Sequence, residues 1–280
     1  MSIPQIDWQN KYNIVEETKN AYLEWGFAQY VNVWNSNEQK MFDDWFQTLR
    51  DWFYTAEDKD NWLSADDLLH GFVPIEGEIL NPHRKNDYKE QFNFSSYNNI
   101  PTWFDKDLKQ IVPLLNESAY STIKIFEKVL NTENNYLVDK HFKDFHYIRT
   151  AWYPGVESLD NQIACGEHKD YNTFTLLLSP DPYKNLQIKS KKGKWYDIKY
   201  KENSFIFNIG KLMEIWTHGY LHSATHRVMP NTIDSFMTGM FLQPEDETVL
   251  DHIGPAEQKF PALKVKQIRK QIWLSRSKLK

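Results

Sequence analysis

Residues 167–178 of the chain have the sequence Glu167-His168-Lys169-Asp170-Tyr171-Asn172-Thr173-Phe174-Thr175-Leu176-Leu177-Leu178. A polar beginning is followed by a β-branched and aliphatic run, which is typical of a buried strand. Side chains two residues apart on a strand point to the same face, so we expect His168 and Asp170 to lie side by side while Lys169 points away. An imidazole and a carboxylate on one face predict two ligands of a metal ion.

A third ligand is expected further along the chain, and the candidates from the residues alone are His218, His222 and His226. These histidines are four residues apart, a spacing that equally fits one exposed face of a helix. Two histidines and one carboxylate that leave neighbouring positions open form the ligand set of non-haem Fe(II) sites that react with dioxygen. The residues by themselves leave open which histidine completes this set.

The order of several short motifs resembles one known family. These motifs are His168-x-Asp170, Trp195, Asn208-Ile209-Gly210, Gly219, Ser223 and His226-Arg227-Val228. Their order is similar to that of the isopenicillin N synthase-like branch of the Fe(II)/2-oxoglutarate-dependent dioxygenases. The resemblance implies that His168, Asp170 and His226 bind Fe(II) and form the catalytic centre, with dioxygen as a cosubstrate. We then expect His218 and His222 at the surface or at the rim of the site.

The resemblance also implies a fold that is mainly β with flanking helices, namely a double-stranded β-helix or distorted, cupin-like jelly roll. Short strands predicted at close spacing between residues 165 and 242 agree with a sandwich or jelly roll. We expect one domain over residues 1–280. It comprises a helical N-terminal section with edge strands (1–135), a jelly-roll core with the metal site (140–245) and a C-terminal helix (255–280).

Apolar residues recur at spacings of three and four in four segments, which predicts amphipathic helices there. The segments are 11–25, 37–54, 103–130 and 263–275. The last of them carries the apolar positions Val265, Ile268, Ile272 and Trp273. We expect it to pack against the core as the C-terminal helix.

Enzymes of the resembled family commonly use 2-oxoglutarate and hold its far carboxylate with an Arg-x-Ser motif nine residues after the distal histidine. In this chain the two positions are Ser235 and Met237, so the guanidinium that would form two parallel hydrogen bonds to a carboxylate is missing. The family's Asn-x-Tyr partner motif keeps only its tyrosine, Tyr153. The candidate groups for binding the cosubstrate are Tyr153, Ser235, Thr238, Arg149 and Lys211.

Three hypotheses follow for the function. The first is a 2-oxoglutarate-dependent oxygenase that hydroxylates, desaturates, cyclises or cleaves a small molecule. The second is an Fe(II) oxidase that takes all electrons from its substrate, as isopenicillin N synthase does. The third is a non-catalytic relative that binds a small molecule. A zinc enzyme is disfavoured, because zinc hydrolases more often use a tetrahedral site with two or three histidines.

Aromatic residues make up 15% of the chain and provide candidates for the substrate pocket. The segments Gly71-Phe72-Val73-Pro74 and Asp87-Tyr88-Lys89-Glu90-Gln91-Phe92 resemble family segments that line the mouth of the pocket. The candidate pocket residues are Phe72, Phe92, Tyr147, Trp152 and Phe241.

The bulk properties limit the possible partners and compartment. The 280 residues include 33 Lys and Arg against 38 Asp and Glu, a net charge of −5. Without a basic tail or stripe, nucleic acid is not an expected partner. The start of the chain lacks a charged segment followed by a long apolar one, and the single cysteine, Cys165, cannot form an internal disulfide. We expect a cytoplasmic monomer that binds a small-molecule substrate and no membrane.

Overall fold

The computed structural model describes residues 3–65, 68, 70–157, 162–181, 185–259 and 261–270. The strands of this part of the chain are β1 (Gln5–Asp7), β2 (Phe27–Val31), β3 (Gly71–Val73), β4 (Glu90–Phe94), β5 (Tyr147–Tyr153), β6 (Cys165–His168), β7 (Phe174–Leu178), β8 (Leu186–Lys189), β9 (Trp195–Asp197), β10 (Ser204–Ile209), β11 (His226–Val228), β12 (Ser235–Leu242), β13 (Val249–Leu250) and β14 (Leu263–Lys264). Its α-helices are α1 (Ile14–Glu24), α2 (Ser36–Thr55), α3 (Thr102–Leu130), α4 (Tyr136–His141) and α5 (Lys211–Trp216), and a 3-10 helix spans Lys59–Trp62.

The strands form two principal sheets that enclose the cavity described below. The large sheet has eight strands in the order β1-β2-β10-β7-β12-β5-β4-β3, and the small sheet has four in the order β6-β11-β8-β9. Within the described residues, the pairing is antiparallel except between β1 and β2. The arrangement is that of a jelly roll with flanking helices, which confirms the predicted fold class.

Strands β5 and β12 lie side by side and present alternate residues to the two faces of the large sheet. The positions that face the space between the sheets are Tyr147, Arg149 and Tyr153 in β5, and Ser235, Met237 and Phe241 in β12. The intervening residues Trp152 and Thr238 lie on the opposite face, which the helices cover. The alternation therefore decides which side chains of these strands can meet a ligand.

Helix α2 illustrates how the predicted helices form. Asn35 caps its first turn by accepting hydrogen bonds from the Asn37 and Glu38 amides, and the Glu38 side chain bonds back to Asn35. Its apolar residues at spacings of three and four are buried against the sheet and α3: Phe42, Trp45, Phe46, Leu49, Trp52 and Phe53. The periodicity of the sequence thus located α1, α2 and α3 to within about three residues.

The predicted C-terminal helix is described only in part. Residues 265–270 are helical, with Val265 and Ile268 buried in the core. The helix begins later than predicted because Leu263–Lys264 form β14 and pair with β13. Ile272 and Trp273 lie outside the described residues. None of the described helices combines the length and hydrophobicity that crossing a bilayer requires.

Candidate active site

His168 and His226 lie next to each other on adjacent strands of the small sheet. His168 ends β6, His226 begins β11, and the two residues are direct antiparallel partners. Asp170 follows β6, and its Oδ1 atom lies 3.5 Å from the Nε2 atom of each histidine. The prediction that His168 and Asp170 lie on one continuous strand is wrong. Strand β6 ends at His168, and the next strand, β7, begins only at Phe174. The bend nevertheless directs both side chains to the same point.

Backbone carbonyls orient the two imidazoles. The Nδ1 atom of His168 lies 2.8 Å from the carbonyl oxygen of Gly166, and that of His226 lies 3.4 Å from the carbonyl oxygen of Ala224. When each Nδ1–H donates to its carbonyl, each Nε2 lone pair faces the Asp170 carboxylate. Phe27 packs edge-on against the His226 ring, with 5.3 Å between ring centroids. Both rings are therefore held in the orientation that metal binding needs.

The carboxylate of Asp170 is oriented in the same way. Its Oδ2 atom accepts hydrogen bonds from Thr175 Oγ1 at 2.7 Å and from Asn208 Nδ2 at 2.8 Å, which leaves Oδ1 for the histidines. Burial alone would raise the pKa of Asp170, but the nearby imidazoles and the Thr175 hydroxyl hold that pKa well below its ordinary value. Burial, with the neighbouring His168, lowers the pKa of His226 to about 4. The site thus combines an ionised carboxylate with a neutral His226 imidazole.

This donor set fits Fe(II). The ligand atoms of His168, Asp170 and His226 all lie within 4.8 Å of one another. Two imidazole nitrogens and one carboxylate oxygen on one side of an ion leave about three octahedral positions for other ligands. In the described part of the chain, no other three His, Cys, Asp or Glu side chains converge in this way.

The three residues form part of the wall of a cavity of about 890 Å³. Its lining comes from both sheets and is largely apolar near the metal-ligand candidates. Other side chains of the wall include Leu80, Leu177, Leu186, Ile198, Ile206 and Val228. A cavity of this size accommodates a cosubstrate together with a small organic molecule.

The sequence is similar to those of known oxygenases. The sequence profile of the 2OG-Fe(II) oxygenase superfamily matches residues 132–244, which include His168, Asp170 and His226. This match places residues 132–244 in the 2OG-Fe(II) oxygenase superfamily. It is 26% identical to feruloyl CoA ortho-hydroxylase 2 of Arabidopsis thaliana over 91% of this chain and 72% of the relative. It is 24% identical to 1-aminocyclopropane-1-carboxylate oxidase homolog 3 of the same plant over 78% of this chain.

The chain spans only about 60% of the length of that second relative. The fold is similar to that of a full-length Neurospora crassa protein whose crystal structure is a complex with alpha-KG. The TM-score is 0.83 at 19% sequence identity, and the superposition covers 98% of this chain and 96% of the Neurospora protein. At this identity the likeness shows the fold alone.

The predicted cosubstrate residues divide into two groups. Tyr153 and Ser235 line the cavity and are direct partners on β5 and β12, and Arg149 also lines it. Thr238 does not line the cavity, because it faces the helices and accepts a hydrogen bond from Trp45 Nε1 at 2.9 Å. Lys211 also lies outside the lining and forms an ion pair with Glu214 at 2.5 Å.

The predicted substrate residues divide in the same way. Tyr147 and Phe241 line the cavity. Phe72 and Phe92 do not, because they pack against Trp52 in the core beneath the helices. Trp152 lies on the helix side of β5, where its Nε1–H donates to Asp234 at 3.0 Å.

Two further histidines had been expected at the surface or rim. His218 is instead buried, with 4% of its surface exposed, and its Nδ1 accepts a hydrogen bond from the Lys259 amide at 3.0 Å. His222 is half-buried, with its Nδ1 3.6 Å from Glu214 Oε1. Neither histidine is part of the metal-ligand cluster.

A group of charges in the cavity wall was not predicted. Lys89 is almost completely buried, with its Nζ 2.6 Å from Asp87 Oδ2 and 2.9 Å from Glu78 Oε2. Arg149 forms two parallel hydrogen bonds of 3.0 Å to the same Glu78 carboxylate. We call Glu78, Asp87, Lys89 and Arg149 the four-charge cluster. A signal in the sequence is that Lys89 lies in Asp87-Tyr88-Lys89-Glu90-Gln91-Phe92, a segment that resembles those lining the mouth of the pocket in the family.

Proposed function

We propose that the chain is an Fe(II)- and 2-oxoglutarate-dependent oxygenase that oxidises a small organic molecule. The observation that carries this proposal is the convergence of His168, Asp170 and His226 on one point of a cavity wall. The remaining polar atoms of the three side chains already have partners, so the free atoms face a common position. Such second-sphere hydrogen bonds are characteristic of metal ligands.

Bound Fe(II) would supply the activation of dioxygen, with 2-oxoglutarate giving two electrons as it is oxidised to succinate and carbon dioxide. The chain's own residues bind and orient. Thr175 and Asn208 keep Asp170 Oδ1 turned toward the ion, and the backbone carbonyls keep both imidazoles in the metal-binding tautomer. The apolar walls exclude water from the reacting groups, and Tyr147 and Phe241 contribute to the space for the substrate.

A second candidate function is an Fe(II) oxidase that needs no 2-oxoglutarate. The observation in its favour is the pair Ser235 and Met237 at the positions of the family's Arg-x-Ser motif, both in the cavity wall. Loss of a charge-assisted anchor weakens carboxylate binding on the order of tens to hundreds of fold. A non-catalytic binding module is disfavoured, since it would have no use for a complete and oriented ligand set.

The test is an anaerobic titration of the Fe(II)-loaded protein with 2-oxoglutarate, followed by the weak visible charge-transfer band of the keto acid chelated to iron. We expect a saturable band in the wild type and in His222→Ala, the control that removes a nearby histidine outside the cluster. We expect neither stoichiometric iron nor a band in His168→Ala or Asp170→Ala, and no iron-dependent oxygen uptake. Iron bound at full stoichiometry without a band would favour the oxidase. Retained turnover in Asp170→Ala would refute the site itself.

The other expectations stay predictions. The single-domain division, the monomeric state, the cytoplasmic location and the absence of nucleic-acid and membrane partners are expectations from the sequence alone. The substrate itself is proposed only as a small organic molecule that fits the cavity beside the cosubstrate.

A further inference from the structure

We infer that Lys89 has taken over the role of the missing arginine and binds the far carboxylate of 2-oxoglutarate, together with Tyr153 and Ser235. This inference rests on the proposed function, because it names the cosubstrate contact of the same site. It replaces the cations considered from the sequence, Arg149 and Lys211.

The strand register places the three residues in one row across the large sheet. Ser235 of β12 is the direct partner of Tyr153 of β5. On the other side of β5, Glu90 pairs with Trp152, so Lys89 lies opposite Tyr153 where this register continues. All three side chains line the cavity. The cation lost at residue 235 is thus replaced by one in the same row, two strands away.

The ammonium group of Lys89 lies between the two sheets. Its Nζ is 3.9 Å from Cys165 Sγ on β6, the strand of the small sheet that ends at His168. A bulge in β6 pairs His168 with His226 and Cys165 with Val228, so about two strand steps, or roughly 7 Å, separate the backbone of Cys165 from that of the metal-ligand candidate His168. That separation is on the scale of an extended five-carbon dicarboxylate with its metal contact at one end and its hydrogen bonds at the other.

Lys89 and Tyr153 each have a hydrogen-bond donor without a strong acceptor among the described residues. A lysine ammonium has three N–H donors, and Asp87 and Glu78 account for two of those of Lys89. Among the described residues, the partner of the third is the weak acceptor Cys165 Sγ, 3.9 Å away. Within the described residues, no group forms a hydrogen bond with the Tyr153 hydroxyl, although Tyr153 is buried in the wall of the cavity. A carboxylate at this place would satisfy both donors.

The two other cations fit less well. Arg149 already uses its bidentate edge on Glu78 and donates its Nε–H to Asn93 Oδ1 at 3.1 Å. It also pairs with Gly239, four residues from Ser235 along β12, and so lies in a different row. Lys211 is outside the cavity and paired with Glu214. Lys89 is therefore the cation that the register and the free donor both favour.

The test compares 2-oxoglutarate with 2-oxopentanoate, which has a methyl group in place of the far carboxylate. The dissociation constants are measured by anaerobic titration of Fe(II)-loaded protein at the charge-transfer band. The variant is Asp87→Asn/Lys89→Gln, which removes one positive and one negative charge and so keeps the local net charge. The wild type should prefer 2-oxoglutarate by roughly 10- to 150-fold, as for a hydrogen bond between charged groups. The variant should bind both acids within about threefold of each other, with unchanged affinity for 2-oxopentanoate.

Three further variants check the cause. Asp87→Asn alone should tighten 2-oxoglutarate binding, because Lys89 loses a competing partner, and Lys211→Gln should keep the wild-type preference. Adding Ser235→Arg to the double variant should restore the preference by returning the arginine to its family position. A double variant that keeps the preference, or that loses affinity for both acids equally, would overturn the inference.

The titrations of the wild-type protein distinguish a failure of this inference from a failure of the proposed function. A band with both acids but no preference between them would overturn the role of Lys89 and leave the 2-oxoglutarate-dependent oxygenase standing. No band with either acid, with iron bound at full stoichiometry, would overturn both.

Discussion

Replacing Thr175 by valine should weaken Fe(II) binding while leaving all three proposed ligands in place. The Thr175 hydroxyl donates to Asp170 Oδ2 at 2.7 Å and is one of the two side-chain donors that orient this carboxylate, the other being Asn208. A hydrogen bond to a charged group contributes about 1.5–3 kcal/mol, which corresponds to roughly 10- to 150-fold in affinity. Loss of a second-sphere partner typically costs metal sites about 10- to 100-fold. We therefore expect the Fe(II) dissociation constant to rise by about 10- to 100-fold.

The measurement is an anaerobic competition between the protein and a chromophoric Fe(II) chelator. The matched control is Thr173→Val, which removes an equally buried hydroxyl two residues away that donates to the Leu242 carbonyl at 2.6 Å and not to Asp170. Each variant also loses a second buried hydrogen bond, with His141 in the case of Thr173 and with Asn172 in the case of Thr175, so a general loss of stability should affect them alike. Unchanged iron affinity in Thr175→Val, or the same loss in Thr173→Val, would refute the proposed orientation of Asp170.

Two other predictions concern stability. Burial alone would raise the pKa of Glu78, but Arg149 and Lys89 lower this pKa to about 2. The ionised Glu78 carboxylate therefore contributes its full stabilisation above the ordinary pKa of 4.5, and this stabilisation is lost as the pH falls toward 2. Wild type and Glu78→Gln should therefore differ by about 3 kcal/mol in unfolding free energy at neutral pH and converge in acid, and a difference that stays constant with pH would contradict this. Chemical denaturation should show that Phe92→Ala lowers the free energy of unfolding by about 3–5 kcal/mol, and Phe241→Ala by less than half of that, because the Phe92 ring is in the core and the Phe241 ring lines the cavity. The reverse order would contradict this placement of the two rings.

The sequence located the metal-ligand candidates better than the cavity around them. The order of motifs around His168, Asp170 and His226 selected three side chains that the structure brings together. The helices followed from apolar periodicity, because each buries one face against the large sheet. The bend after His168 was missed, since a polar beginning next to an aliphatic run has the composition of one strand whether or not the chain turns between them.

Errors among the predicted pocket residues have a simple physical origin. Residues on one strand alternate between its two faces, so Tyr153 and Trp152 cannot both line the cavity, and neither can Ser235 and Thr238. Applying this alternation from Tyr153 would have excluded Trp152, and applying it from Ser235 would have excluded Thr238, without a structure. Lys89 could not be found in this way, because its position depends on how β4 pairs with β5, which the sequence does not specify.

The four-charge cluster is better explained by ligand binding than by stability. Removing Lys89 and its partners from water carries a desolvation cost that their mutual attraction barely offsets, and apolar residues in such places are often equally stable or more so. The cluster is also neutral, with two cations and two carboxylates, so it adds no net charge to the cavity wall. What the cluster does provide is a lysine fixed by Asp87 and Glu78, whose third donor has only the weak acceptor Cys165 Sγ among the described residues. This lysine lies in the same row as Ser235, where the family has its arginine. A lysine that already shares its charge with two carboxylates should bind a third carboxylate more weakly than a free guanidinium would. In this site the cation therefore has a fixed position but a lower affinity for the cosubstrate.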